Sequence, residues 1–216
     1  MAFLFHSREA LSHETKKQSI QVLLNSAAPD SDFYFLLIGA AILAIGAIFT
    51  DSVVVLIASM IIAPLGYPIL ELGLGIVARS WRTTIRAASL LCVASLVTLL
   101  LAALSTFVVP EVAPDKYINF TGHRITAFIV AIVSGLIAAY GMVKPKVATV
   151  VTGVAIAVSL VPPLVASGIN YANGNTIIGY DALLMFLLNV AGILAASVVV
   201  FWLFGMGRVY RTISSR

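Results

Sequence analysis

Six stretches of this chain run for the length of a membrane-crossing helix with almost no charge: residues 33–50, 52–78, 87–109, 125–143, 147–169 and 182–206. Each is near the ~20 apolar residues that carry an α-helix across a hydrocarbon core, where only helices and closed barrels satisfy their own backbone. Barrel strands would read as alternating segments of about ten residues between turns, a pattern this sequence does not carry. The expected fold is an all-α polytopic membrane protein with six transmembrane helices. Composition agrees, since 61% of the 216 residues are hydrophobic and 10% charged, against about 45–50% and 25% in a soluble domain.

Lysine and arginine set the expected orientation. Arg8, Lys16, Lys17, Arg79, Arg82, Arg86, Lys144, Lys146, Arg208, Arg211 and Arg216 fall on one side of the six runs, and only Lys116 and Arg124 on the other. Positive charge stays on the cytoplasmic side, so both termini are expected there. Residues 8–28 scatter Leu11, Ile20, Val22, Leu23 and Leu24 among polar and cationic residues, as in a helix lying on the interface. The expected organisation is a cytoplasmic segment 1–32 with that interfacial helix, a membrane domain 33–207 and a cytoplasmic tail 208–216. The opening "MAFLF" is too short for a signal-peptide core, so the first long apolar run is expected to be an uncleaved anchor. A net charge of +4 could suggest nucleic acid, but the basic residues lie in short clusters without interleaved aromatics and read as topology signals.

The chain repeats itself. Residues 57–65, "IASMIIAPL", align with residues 156–164, "IAVSLVPPL", at an offset of 99, matching Ile57 with Ile156, Ala58 with Ala157, Pro64 with Pro163 and Leu65 with Leu164. The same offset carries the first run onto the fourth and the third onto the sixth. Three spans is an odd number, so the second copy, about 125–206, would enter the membrane from the opposite face to the first, about 33–109: a 3+3 inverted-topology repeat.

Each copy places a breaker in its middle run, Pro64, Gly66 and Pro68 in the second and Pro162 with Pro163 in the fifth. Paired interruptions at corresponding positions point to a substrate path, because half-helix ends present backbone groups and dipole ends there. The plainer alternative is proline kinks that only serve packing.

Glu71 is the one ionisable residue well inside a run. A charge in that setting costs about 2.5–3.5 kcal/mol or more, so it is expected to face protein, a cavity or water, attracting a cation or proton, or else to snorkel or hydrogen-bond a neighbouring helix. Its repeat equivalent at the same offset is Asn170. Ser59, Ser159 and Asn189 could add oxygens to a path, although membrane serines more often bond back to their own helix. No intramembrane serine has a histidine beside it in the pattern, no phosphate-cradling loop appears, and the single cysteine, Cys92, gives neither a disulfide nor a metal-ligand spacing. No catalytic residue, metal or cofactor is expected.

The blocks "ASMIIAPLGYPILELGLGI" (58–76) and "SGLIAAYGMVKPKVATVVTGVAIAVSLVPPLVASGI" (134–169) resemble the membrane protein family called domain of unknown function 389. The likeness rests on Pro64, Leu65, Pro68, Gly73 and Gly75 and on Pro162, Pro163 and Leu164, and extends more loosely over about residues 30–206. Glu71 departs from it, standing where the family pattern implies a small or apolar residue. The resemblance implies a prokaryotic inner-membrane protein and brings no activity with it. The leading expectation is a channel or secondary transporter for a small ion or solute, assembled as a homo-oligomer among membrane lipids, with no nucleic-acid partner. The alternative is a non-transporting scaffold or sensor that binds lipid or a partner protein.

Overall fold

The computed structural model describes residues 12–108, 124–144 and 160–214, and among these the regular structure is helical throughout. In chain order the helices are α1 (His13–Ser26), α2 (Ser31–Thr50), α3 (Val53–Ile62), α4 (Gly66–Ala78), α5 (Trp81–Val108), α6 (Arg124–Val143), α7 (Val161–Ala172), α8 (Thr176–Leu203) and α9 (Met206–Ser214).

Six of these starts, those of α1 to α5 and of α7, follow two different rules. At α1, α2, α3 and α5 a polar side chain accepts from the first turn: Ser12 Oγ from Thr15 N at 3.1 Å, Asp30 Oδ1 from Phe33 N at 2.9 Å, Ser52 Oγ from Val55 N at 3.4 Å, and Ser80 Oγ from Thr83 N at 3.4 Å. These are N-caps, satisfying donors that have no intrahelical acceptor. Helices α4 and α7 instead follow the buried residues Leu65 and Leu160, with no side-chain cap. Both carry proline in the first turn, Pro68 in α4 and Pro162 and Pro163 in α7. Proline has no N–H and a φ already suited to a helix, so a start among apolar side chains leaves fewer donors stranded.

Four helices, α2, α5, α6 and α8, are long and apolar enough to cross a membrane, and the pair α3 with α4, bent by 42° at its break, brings the candidates to five if it counts as one span. The fifth expected run, 147–169, is described only from Leu160, so its length lies outside the described residues. Helix α5 leaves Val93, Leu96, Leu100, Leu104 and Phe107 bare along one face. At spacings of three and four these form a stripe suited to lipid, and the protein is a multi-pass membrane protein.

Helix α8 packs against α4, α6 and α7, while α5 packs against α2, α4 and α7. Every residue from Leu160 to Asn170 is buried, so α7 runs through the interior. Helices α1 and α9 pack on each other and on α4, which puts both at the end of the bundle where α4 turns into α5. Ile20, Leu23 and Ala27 have no exposed surface. The amphipathic helix read from the sequence therefore buries its apolar side against the protein.

The element lengths run 20, 13 and 28 residues for α2, α4 and α5, and 20, 12 and 28 for α6, α7 and α8. Gly66 and Val161 open their helices 95 residues apart, as do Trp81 and Thr176. The closest approaches keep this register. Gly73, eighth in α4, lies against Ser197, which is twenty-second in α8. Gly168, eighth in α7, lies against Leu99 O and against Ala102, twenty-second in α5. Each short helix is thus pressed by a glycine at its eighth position onto a 28-residue helix at its twenty-second, a close approach that small residues allow. At this spacing Glu71 falls opposite Ala166 and Asn170 opposite Gly75, whereas the offset of 99 read from the prolines pairs Glu71 with Asn170.

A β-carbon at Gly168 would stand 2.6 Å from Leu99 O and 2.7 Å from Ala102 Cβ, whereas one at Gly39 would meet nothing within 4 Å. Gly168→Ala is expected to destabilise the protein by about 1–3 kcal/mol through overpacking against backbone. Gly39→Ala should be neutral or stabilising by up to about 1 kcal/mol, since alanine gives up less freedom in a helix. Unfolding of the two variants in mixed micelles, monitored by circular dichroism, measures the difference.

Candidate functional site at the paired helix starts

The residues singled out in the sequence meet around the starts of α4 and α7. Pro64 lies in the turn between α3 and α4, and its carbonyl accepts from Tyr67 N at 3.3 Å. The residue before it, Ala63, is extended at φ −63°, ψ 125°, as a residue preceding proline should be. This ends α3, and Gly66 then opens α4 with Pro68 in third place. In α7, Pro162 and Pro163 take the second and third places. Pro68 and Pro163 are therefore equivalent in helix register. None of these three prolines kinks a running helix, because each sits in a first turn where its ring meets no carbonyl four residues back. Of the four first-turn positions of α7, Val161 to Leu164, two have no N–H to satisfy. The partial positive charge of the two helix starts points into the interior.

Ser59 is fully buried, and its hydroxyl donates to Leu56 O at 2.7 Å within α3, the self-bonding usual for serine in an apolar helix. Asn170 is also fully buried. Its Nδ2 donates to Ala166 O at 2.8 Å, while its Oδ1 has no partner among the described residues. Ser167, one turn away, donates to Gly179 O at 2.9 Å and ties α7 to α8. Asn189 is buried on α8. Ser159 lies outside the described residues.

Glu71 has no exposed surface, and its Oε1 accepts from Arg86 Nε at 3.1 Å and lies 2.8 Å from Arg86 Nη2. Arg86 Nη2 also reaches Leu24 O in the last turn of α1, at 3.4 Å. One guanidinium thus joins α4, α5 and α1. The sequence showed Arg86 only as a topology marker. That it neutralises Glu71 from 15 residues along the chain was not legible, because the turn at Arg79, with φ +55°, folds α5 back along α4. Oε2 of Glu71 has no partner among the described residues. A second ion pair, Arg124 with Asp181, joins the first turn of α6 to α8. Asp181 is sixth in α8, the position Arg86 holds in α5. Among the described residues no three His, Cys, Asp or Glu side chains stand close enough to hold a metal ion.

Removing one member of the Glu71–Arg86 pair leaves a buried charge or carboxyl without its partner, whereas replacing both removes the demand. Arg86→Leu alone is expected to cost about 1–3 kcal/mol, and Glu71→Leu with Arg86→Leu less than Arg86→Leu alone. A double-mutant cycle on unfolding in mixed micelles tests this, and a strictly additive cycle would show that the pair is not coupled.

The chain is similar over 175 residues, at 30% identity, to an uncharacterised protein of the archaeon Methanocaldococcus jannaschii, an alignment covering 79% of this chain and 53% of that protein. The chain thus spans about half the length of the curated relative it matches. No solved structure matches it. The family model described as domain of unknown function (DUF389) matches residues 60–195, a stretch holding both helix starts, Glu71, Arg86 and most of α8. On that match, the chain belongs to the family domain of unknown function 389.

Proposed function

We propose that this protein is a channel or secondary transporter for a small ion or solute, with its path beside the starts of α4 and α7. The observation that carries the reading is the pair of short helices that begin among buried apolar residues, at equivalent places in two copies of one pattern. A helix that starts inside the membrane domain costs backbone hydrogen bonds that a continuous span would keep, and such starts recur where transporters bind their substrates. Within this reading the six spans form a 3+3 inverted repeat. The arginine and lysine distribution supports cytoplasmic placement of both termini, and the archaeal relative supports a prokaryotic plasma membrane location. Gly39 and Gly46, which face open space on α2, leave room for close approach of a second copy in a homo-oligomer.

The charge of the substrate follows from two features. Glu71 is held against Arg86 and offers little net charge to a cation, and two helix N-termini point inward. An anion or a neutral solute is therefore favoured over a cation.

A second reading, a scaffold or sensor that moves nothing, is favoured by the enclosure of α7 on all sides. Flux into liposomes holding the purified protein distinguishes the two. Under transport, flux of one class in a panel of cations, anions and neutral solutes is expected, and Pro64→Ala with Pro163→Ala should change it at least severalfold. Cysteine placed at Ser59 in a Cys92→Ala background should then react with small aqueous thiol reagents. No flux with an inert Ser59→Cys would favour the scaffold.

A further inference from the structure

We propose that α9 and the α4–α5 turn together form a binding site for the phosphate of an anionic phospholipid headgroup. Two packing contacts create the site. Gly207 lies so close to α4 that a β-carbon there would stand 2.5 Å from Val77 O, and Tyr210 OH shares a 2.6 Å hydrogen bond with Thr83 Oγ1 on α5. Arg208 adjoins Gly207, and Arg79 lies two residues beyond Val77. Arg211 adjoins Tyr210, and Arg82 adjoins Thr83. The two contacts therefore lay side by side two segments more than a hundred residues apart that carry four arginines, Arg79 and Arg82 on one and Arg208 and Arg211 on the other.

All four are exposed, and none has a carboxylate partner among the described residues. Arg86, next along α5, differs in having Glu71. The orientation of α9 is fixed by its buried side, where Met206 has no exposed surface and Val209 only 6%, so Arg208 and Arg211 are held outward on the opposite side. Crowding like charges without a counter-ion opposes the fold, and a guanidinium fork matches the oxygens of a phosphate.

The source of that phosphate is given by the neighbours. Trp81 immediately precedes Arg82 and is 76% exposed, and Trp202, in the last turn of α8, is 68% exposed. Exposed tryptophans at the ends of spanning helices sit at headgroup level. The arginines share that level, where lipid phosphates are concentrated and each basic residue adds to attraction for anionic lipid. This site is independent of whether the protein transports anything.

The test is native mass spectrometry of the full chain in detergent, titrated with phosphatidylglycerol and with phosphatidylcholine. The wild type should retain phosphatidylglycerol in preference, and each arginine changed to glutamine should weaken that binding by about fivefold. The variant Arg79→Gln, Arg82→Gln, Arg208→Gln, Arg211→Gln should lose the preference, and the same four positions changed to lysine should keep it. If the fourfold glutamine variant does not purify as a single species, Arg79→Gln with Arg208→Gln, and Arg82→Gln with Arg211→Gln, each removing one arginine from each segment, are read the same way. Equal retention of the two lipids by the wild type would overturn the proposal, as would a preference unchanged in the glutamine variants. Displacement of phosphatidylglycerol by millimolar inorganic phosphate would reassign the site to a soluble ligand. Displacement by a polyglutamate peptide would reassign it to an acidic partner protein.

Discussion

A backbone N–H with nothing to bond costs several kcal/mol in hydrocarbon, and two helices of this protein begin among buried apolar side chains. The caps at Ser12, Asp30, Ser52 and Ser80 show how the chain meets that demand where polar side chains are at hand. At α4 and α7 it removes donors instead, through Pro68, Pro162 and Pro163. The rest of the architecture depends on this solution. Helices of 13 and 12 residues reach only about 20 Å and 18 Å, too little to span alone. They are held by neighbours, and the glycines at their eighth positions let the long helices close on them.

The backbone pattern is more symmetric than its chemistry. Gly73 and Gly168 occupy the same place and meet the same positions of α8 and α5. Glu71, by contrast, corresponds to Ala166, and Asn170 to Gly75, where a β-carbon would collide with Thr84 N at 2.9 Å. Each copy has also taken up its own ion pair, Glu71 with Arg86 in one and Arg124 with Asp181 in the other. Arg86 and Asp181 hold the same register position with opposite charge.

Much of this plan was legible in the sequence because lipid imposes simple rules. Runs of about twenty apolar residues gave the spans, and α2, α5, α6 and α8 lie within or over those runs. The breaks were legible as prolines, and the family as two blocks around them that resemble it. What was not legible is the register of the repeat. Aligning Pro64 with Pro163 matches letters, but Pro64 lies in a turn while Pro163 lies inside a helix, and the starts of α4 and α7, like those of α5 and α8, lie 95 residues apart. Short apolar alignments carry little information, since Ile, Leu and Val interchange freely against lipid. The partner of Glu71 was hidden for a different reason: Arg86 looked like one of a row of cationic residues, and only the fold brings it beside a buried carboxylate.

The reciprocal glycine contacts bear on how the chain is made. Gly73 enters the membrane as part of the first half, but the helix it presses against contains Ser197, which is synthesised 124 residues later. At ordinary rates of synthesis that interval is on the order of ten seconds. During it, α4 stands without the long helix that completes its packing, and α5 likewise awaits Gly168. The contacts of α5 with α2 and α4 can form within the first half, but the glycine-mediated packing is completed only when the second half has been made.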